Sequence, residues 1–329
     1  MNPTLVEVTR GGRVESVHRG AAVVVDTDGR VIFAVGDAES EIYPRSAAKP
    51  LQAMPLVASG AAEQFGLTDA EIALACGSHA GQTEHVSVAE SMLRKAGRDA
   101  SSLECGVHWP LGEAAARGLA ACGGLPTALH NNCSGKHAGF ICLACQRRFD
   151  PTGYVRPEHP VMREVTAALA EATAATLDDS NRGIDGCSIP TFALPLRALA
   201  MGFARLGTGH HLSPSLAQAS ARIRTAIAAA PLMLAGTDRF DTWIATAFGE
   251  AVLCKCGAEG SAAAAIPELG IGLAIKIDDG AGRAVEVAMA SLLLRFLADS
   301  HVDREELRQR INSPLRNWNG LTVGRLRAC

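Results

Sequence analysis

Apolar and polar positions alternate with a period of two near the start of the chain and again near its end, and follow helical spacing in between. Residues 5–8, 21–26 and 30–35 are rich in β-formers, and Thr27, Asp28 and Gly29 supply a turn between the last two runs. From about residue 46 to 206 helical patterns dominate. Thr68 and Glu71 have capping-box spacing ahead of an apolar run. Thr83 opens a helix predicted through Lys95, and a further helix is predicted over 136–146, behind the polar run of Asn131, Asn132, Cys133 and Ser134. His159 and Pro160 begin another, through Ala174, with proline at a tolerated first-turn position. Residues 213–230 read as an Ala-rich amphipathic helix.

Strand patterns return at 251–255, 261–266 and 270–277, and a strong helix is predicted over 284–298. Strands at both ends of the chain around a helical middle predict an α/β (α+β) fold, with one antiparallel sheet assembled from N- and C-terminal strands and flanked by helices. With no internal repeat and no low-complexity linker, residues 1–329 read as one catalytic unit whose helical lobe covers roughly 46–230.

Composition narrows the function classes. A chain of 329 residues that is 48% hydrophobic and 20% charged has room for a substantial core. A net charge of -3 offers no attraction to phosphate backbones or anionic lipid, so nucleic acid and membrane partners are not expected. No stretch reaches the roughly 18 consecutive apolar residues of a membrane span. The N-terminal twenty residues carry acids and bases early and do not read as a signal peptide, so a cytoplasmic location is expected. Ten cysteines are then expected as reduced thiols.

Ser46, Ala47, Ala48 and Lys49 open a predicted helix after Pro44 and Arg45. Residues three apart on a helical turn share a face, so the hydroxyl and the amine can meet. A serine becomes a nucleophile when a base takes its proton, and a lysine can be that base when burial lowers its pKa. A helix start adds positive potential for an oxyanion. The competing reading is a chance S-x-x-K on a solvated face. The apolar run that follows, 51–57 broken only by Gln52, favours a buried helix. The same spacing occurs in serine β-lactamases and penicillin-binding proteins.

A second serine, Ser78, lies in the small-residue turn of Cys76, Gly77, Ser78, His79, Ala80 and Gly81, where it either approaches a ligand or caps the next helix. Lys255 ends a predicted strand ahead of Cys256 and Gly257, and either faces solvent or forms the K-x-G of an edge strand beside the S-x-x-K helix. Cys133 and Cys187 lie in polar, glycine-containing loops and are candidate soft-metal ligands, although neither belongs to a C-x-x-C pair. The one such pair, Cys142 and Cys145, reads as core packing inside an apolar helix. Asp185, on a glycine-flanked loop, suits a substrate amine, and Arg45 has the fork to clamp a substrate carboxylate. His79, His137 and the turn of Gly236, Thr237, Asp238 and Arg239 are further candidates, while His130, His210 and His211 read as solvated loop residues.

Taken together, the segments YPRSAAKPLQA, ALACGSHAGQTEH, HNNCSGKHAGF, GIDGCSIPTFALP, AGTDRFDT, KCGAEG and GLAIKIDDG resemble, in order, the thermolabile Rhizobium-type L-asparaginases of the asparaginase II class. The likeness runs from about residue 43 to 280 and extends to Asn317, Trp318, Asn319 and Gly320 with Val323 and Gly324. It implies a fold related to serine β-lactamases and glutaminases, a homodimer, and hydrolysis of L-asparagine by two Ser-Lys pairs, Ser46 with Lys49 and Ser78 with Lys255. It also implies a metal site, usually zinc, at Cys133, Lys136 and Cys187. The competing enzyme class is a β-lactamase or peptidase-like hydrolase, and a non-catalytic zinc-binding protein is the third reading.

Overall fold

The computed structural model describes residues 1–298 and 304–329. Its main sheet has eight strands: β1 Thr4–Arg10, β2 Arg13–Asp26, β3 Val31–Val35, β4 Leu253–Cys256, β5 Ser261–Ile266, β6 Ile271–Ile277, β7 Asn312–Arg316 and β8 Thr322–Ala328. The spatial order is β7-β8-β1-β2-β6-β5-β4, with β3 also paired to β2, and every pairing is antiparallel. The two chain ends build the sheet together, as the pattern predicts. The strand β2 is longer than its apolar run: its charged first half pairs with β1 and its apolar second half with β6. The β7–β8 hairpin carries no strong apolar alternation in the sequence, because its residues are largely exposed.

The apolar half of β2 is buried on both faces, which is why it reads as a continuous run. Val23 and Val25 enter the core shared with the helical lobe. Ala22 and Val24 enter a second core under the Gly282–Phe296 helix. In β5, Ala263 and Ala265 face the first core, and Ala262 and Ala264 the second. Small side chains there let helices approach the sheet closely. The tightest approach is at Gly272 of β6, where a Cβ would lie 1.9 Å from the carbonyl oxygen of Ala200 in the Leu196–Thr208 helix.

Helix starts with explicit caps fall where the sequence places them. Thr68 and Glu71 form the capping box, the next helix is Thr83–Lys95, and His159 caps Pro160–Thr173 through its Nδ1. The predicted helix at residue 46 is instead a series of short pieces: a 3-10 turn Arg45–Ala48, then Lys49–Gln52 and Met54–Ala58. Pro50 and Pro55 each sit in a first turn and remove a backbone donor, which stops any one piece from extending. Among the described residues no helix is long and apolar enough to cross a membrane.

Candidate active site

The Arg45–Ala48 turn is held against the edge of the sheet. Arg45 takes a positive φ of 51°, a conformation that costs a non-glycine residue about 1–3 kcal/mol and persists only where its surroundings impose it. Ser261 at the start of β5 donates its hydroxyl to the carbonyl of Pro44 at 2.9 Å. Gly257, just past β4, packs on the same backbone: a Cβ there would lie 2.7 Å from Pro44 O and 2.8 Å from Ala47 N. Only glycine lets the Lys255 strand and the Ser46 turn meet this closely. The K-x-G spacing is therefore steric in origin. Ser46 is half-buried, and its hydroxyl has no hydrogen-bond partner among the described residues.

Lys49 is 1% exposed, and the Ser46 hydroxyl is not among its hydrogen-bond partners. Its Nζ lies 2.6 Å from Gly77 O, 2.8 Å from Ser78 Oγ and 3.4 Å from Asn132 O. Burial lowers its pKa, the positive charges of Lys136 and Lys255 lower it further, and the sulfurs of Cys133 and Cys187 act the other way. A neutral amine suits this environment as well as an ammonium does: it can donate to the two carbonyls and accept from the Ser78 hydroxyl. Asn132, whose carbonyl helps hold Nζ, is fixed in turn by its N–H to His108 Nε2 at 3.0 Å.

The pairing of Ser78 with Lys255 is not the one observed. Lys255 is buried at 1% exposure and forms an ion pair with Asp241 Oδ2 at 2.5 Å, with a further bond to Cys256 O at 2.7 Å. Asp241 Oδ1 accepts the Cys256 N–H at 2.9 Å, so this carboxylate caps the free edge of β4 while neutralising its lysine. The lysines thus have exchanged or new partners: Lys49 meets Ser78, and Lys255 meets Asp241. Sequence reasoning passed over Asp241 although it lies in the AGTDRFDT segment. Its local signal is a lone acid in the first turn of an apolar helix, Phe240–Phe248, which alone also describes an ordinary dipole-favoured surface acid.

Cys133, Lys136 and Cys187 do come together. Cys133 precedes the Ser134–Gln146 helix, with its N–H held by Asn131 Oδ1 at 2.9 Å, and Lys136 in the first turn donates to Cys187 Sγ at 3.0 Å. A hydrogen bond from Cys187 draws Cys133 well below the usual thiol range against its burial, aided by Lys49 and Lys136, while the same bond and burial push Cys187 up. Burial works against the Lys136 ammonium, but Cys187, Cys133 and Asp185 outweigh it and hold its pKa above the ordinary lysine value. Two buried sulfurs, one of them with a lowered pKa, and an amine fit a borderline-soft cation, provided Lys136 gives up its proton.

Asp185 connects this cluster to the Ser46 turn. Its Oδ1 accepts from Arg45 Nε at 2.8 Å and from the Gly186 N–H at 2.8 Å, and its Oδ2 is 4.0 Å from Cys187 Sγ. Burial opposes its charge, but Lys136 and Arg45 overcome that and lower its pKa. Arg45 and Asp185 therefore satisfy each other in the free protein. The pair offers opposite charges side by side, a match for the carboxylate and ammonium of an α-amino acid.

His79, a candidate from the sequence, has its place in the interior. It is fully buried, its Nδ1 accepts the Gly81 N–H at 3.2 Å, and its Nε2 bonds Ser134 Oγ at 2.9 Å. It also stacks on His85, with ring centroids 5.0 Å apart. Burial, then His85 and Lys49, hold its pKa well below the usual histidine range. A neutral ring with both nitrogens engaged braces the Ser78 loop against the Ser134–Gln146 helix. His137 is likewise buried, with Nδ1 2.6 Å from the Tyr154 hydroxyl, whereas His210 and His211 are exposed as expected. A groove of about 510 Å³ opens beside the Ser78 loop, lined by Ala80, Gln82, Thr83, Thr237 and Asp238 among others. Gln82 stitches its two rims by accepting the Thr237 N–H at 2.9 Å and donating to Thr237 Oγ1 at 3.0 Å. A larger cavity of about 620 Å³, lined by Asp28, Thr173, Arg197 and Arg205 among others, includes none of the candidate residues.

Comparison with known proteins adds the family. The model of the L-asparaginase II family matches residues 6–328, and the chain belongs to that family, whose members are asparaginase-type amidohydrolases. No curated protein matches the chain. Among solved structures, a β-lactamase from Mycobacterium bovis is 12% identical and aligns over 85% of this chain and 95% of its own, with a TM-score of 0.41. Mglu in its L-glutamate-binding form, in 4.3 M NaCl, is 16% identical over 91% of this chain and 66% of its own, with a TM-score of 0.39.

Proposed function

We propose that this L-asparaginase II family member hydrolyses L-asparagine to L-aspartate and ammonia by acyl transfer to serine. The observation that carries the reading is the buried, pKa-lowered Lys49 in hydrogen-bond contact with Ser78, at the end of the turn whose Ser46 hydroxyl has no partner. Arg45 takes the substrate α-carboxylate and Asp185 its α-ammonium, replacing their mutual ion pair. Ser46 attacks the side-chain amide carbon as Lys49 takes its proton. The carbon–nitrogen bond then breaks, and the proton passes from Lys49 through Ser78 to the departing nitrogen, which leaves as ammonia. Water hydrolyses the aspartyl ester by the reverse relay, restoring Ser46 and Lys49. Lys255, held by Asp241, contributes fixed positive charge and adds to the lowering of the Lys49 pKa.

A second assignment has specific support: the 2.8 Å contact favours Ser78 as the serine that Lys49 activates directly. Cys133, Lys136 and Cys187 would hold a zinc ion, which when bound supplies positive charge beside the Asp185 loop. Ten free cysteines support a reducing, cytoplasmic setting, and the resemblance supports a homodimer acting as one catalytic unit.

Ammonia release from L-asparagine, run beside nitrocefin hydrolysis, tests the substrate class. Ser46→Ala and Ser78→Ala test the division of labour. Loss of the acyl-enzyme in Ser46→Ala, with an intact but slowed one in Ser78→Ala, is the expected result, and the reverse would hand the nucleophile to Ser78. Nitrocefin turnover without ammonia release would overturn the asparaginase reading.

A further inference from the structure

Cys254 and Cys256 occupy alternate positions on β4, so both thiols point to the same side of the edge strand, while Lys255 points to the other. Cys254 is buried and Cys256 half-buried. Asp241 faces them from the Phe240–Phe248 helix, and the two sulfurs and a carboxylate oxygen all lie within 4.8 Å of one another. Ligands around a tetrahedral zinc with Zn–S near 2.3 Å sit about 3.5–3.8 Å apart, so closing this triad needs shifts of an ångström or less. Among the described residues this is the one group of three histidine, cysteine or acidic side chains with such convergence.

The geometry points to Cys254, Cys256 and Asp241 as a binding site for a thiophilic d10 dication of the zinc class, separate from the Cys133, Lys136 and Cys187 cluster. Two thiolates and a carboxylate suit such an ion and leave a fourth position for water. Binding breaks two S–H bonds, releases the protons to solvent, and forms two metal–sulfur bonds and one metal–carboxylate bond, with no change of oxidation state. The consequence follows from Asp241, which is the carboxylate partner of Lys255. A dication on that carboxylate competes with the Lys255 ammonium for its charge. Metal occupancy at β4 therefore inhibits turnover through Lys255. The inhibition rests on the proposed catalytic reading, whereas the binding does not.

Cadmium serves as the probe, because its thiolate complexes give a ligand-to-metal charge-transfer band. Chelator-stripped full-length protein is dialysed against cadmium, and the bound metal and band amplitude are measured for wild type, Cys254→Ser/Cys256→Ser and Cys133→Ser/Cys187→Ser. The expected result is one equivalent fewer per chain in the first double variant than in wild type, with a cadmium–thiolate band persisting in the second. Equal stoichiometry in wild type and Cys254→Ser/Cys256→Ser overturns the site, and this comparison stands even if Cys133→Ser/Cys187→Ser fails to fold. Ammonia release is read in parallel. Cadmium is expected to slow the Cys133→Ser/Cys187→Ser protein and to lose that effect when Cys254 and Cys256 are also replaced. Binding without inhibition would overturn the link to Lys255 while leaving the site, and binding in a protein that releases no ammonia would count against the catalytic reading alone.

Discussion

Replacing Asp241 by asparagine keeps an oxygen for the Cys256 N–H and nearly the same volume, but removes the charge opposite Lys255. The Lys255 side chain is 1% exposed and that of Asp241 5%, so water cannot take over the lost interaction. With the carboxylate gone, the ammonium retains its hydrogen bond to the Cys256 carbonyl. Removing one member of a buried ion pair costs about 3–5 kcal/mol, chiefly because the remaining charge stays desolvated. At roughly 2 °C per kcal/mol, the large-domain end of the usual range, the melting temperature should fall by about 6–10 °C. Thermal unfolding followed by circular dichroism measures this, with urea unfolding for the free energy. The double variant Asp241→Asn/Lys255→Met should recover most of the loss, since it removes the stranded charge. A fall below about 2 °C, or no recovery in the double variant, would refute the view that Asp241 exists to neutralise Lys255 at the sheet edge.

Lys49 gives a pH-dependent prediction. Its pKa is lowered in the fold, so between that value and the unfolded lysine value of about 10.4 the unfolded chain binds more protons. The penalty for burying Lys49 is full below its folded pKa and fades as pH rises through that window. The stability of Lys49→Met relative to wild type should therefore decline steadily with rising pH across the window, as read by urea midpoints, and a flat difference would contradict a buried, pKa-lowered amine. Arg45→Ala and Asp185→Ala should each cut kcat/KM for L-asparagine by about tenfold to a hundredfold, mainly through KM, the scale of losing a charge-assisted hydrogen bond. An effect confined to kcat would argue against anchoring of the substrate's charged ends. Gly257→Ala should cost about 1–3 kcal/mol in denaturant unfolding, because its Cβ would collide with Pro44 O and Ala47 N, and should displace the Ser46 turn enough to depress turnover.

The pattern along the chain determined the composite sheet, the helical middle and the capped helix starts, because those follow from local periodicity and capping chemistry. Motif spacing and family resemblance also picked out Ser46, Lys49, Ser78, Lys255, Arg45, Asp185 and the Cys133 cluster as candidates. Partners are another matter. Spacing of three puts Ser46 and Lys49 on one helical face, but the left-handed Arg45 and the prolines at 50 and 55 break the helix, and the lysine turns to Ser78, 29 positions away. Asp241 meets Lys255 across 14 residues because an apolar helix packs on a free strand edge whose N–H needs an acceptor. His79 carries the same local signature whether it faces a ligand or the core, and only the packing of the Ser134–Gln146 helix against its loop buries it. Sequence by itself selected the chemical groups, since these are written residue by residue. Which group holds which was decided by tertiary structure, because a buried lysine takes whatever acceptor the packed backbone brings within 3 Å.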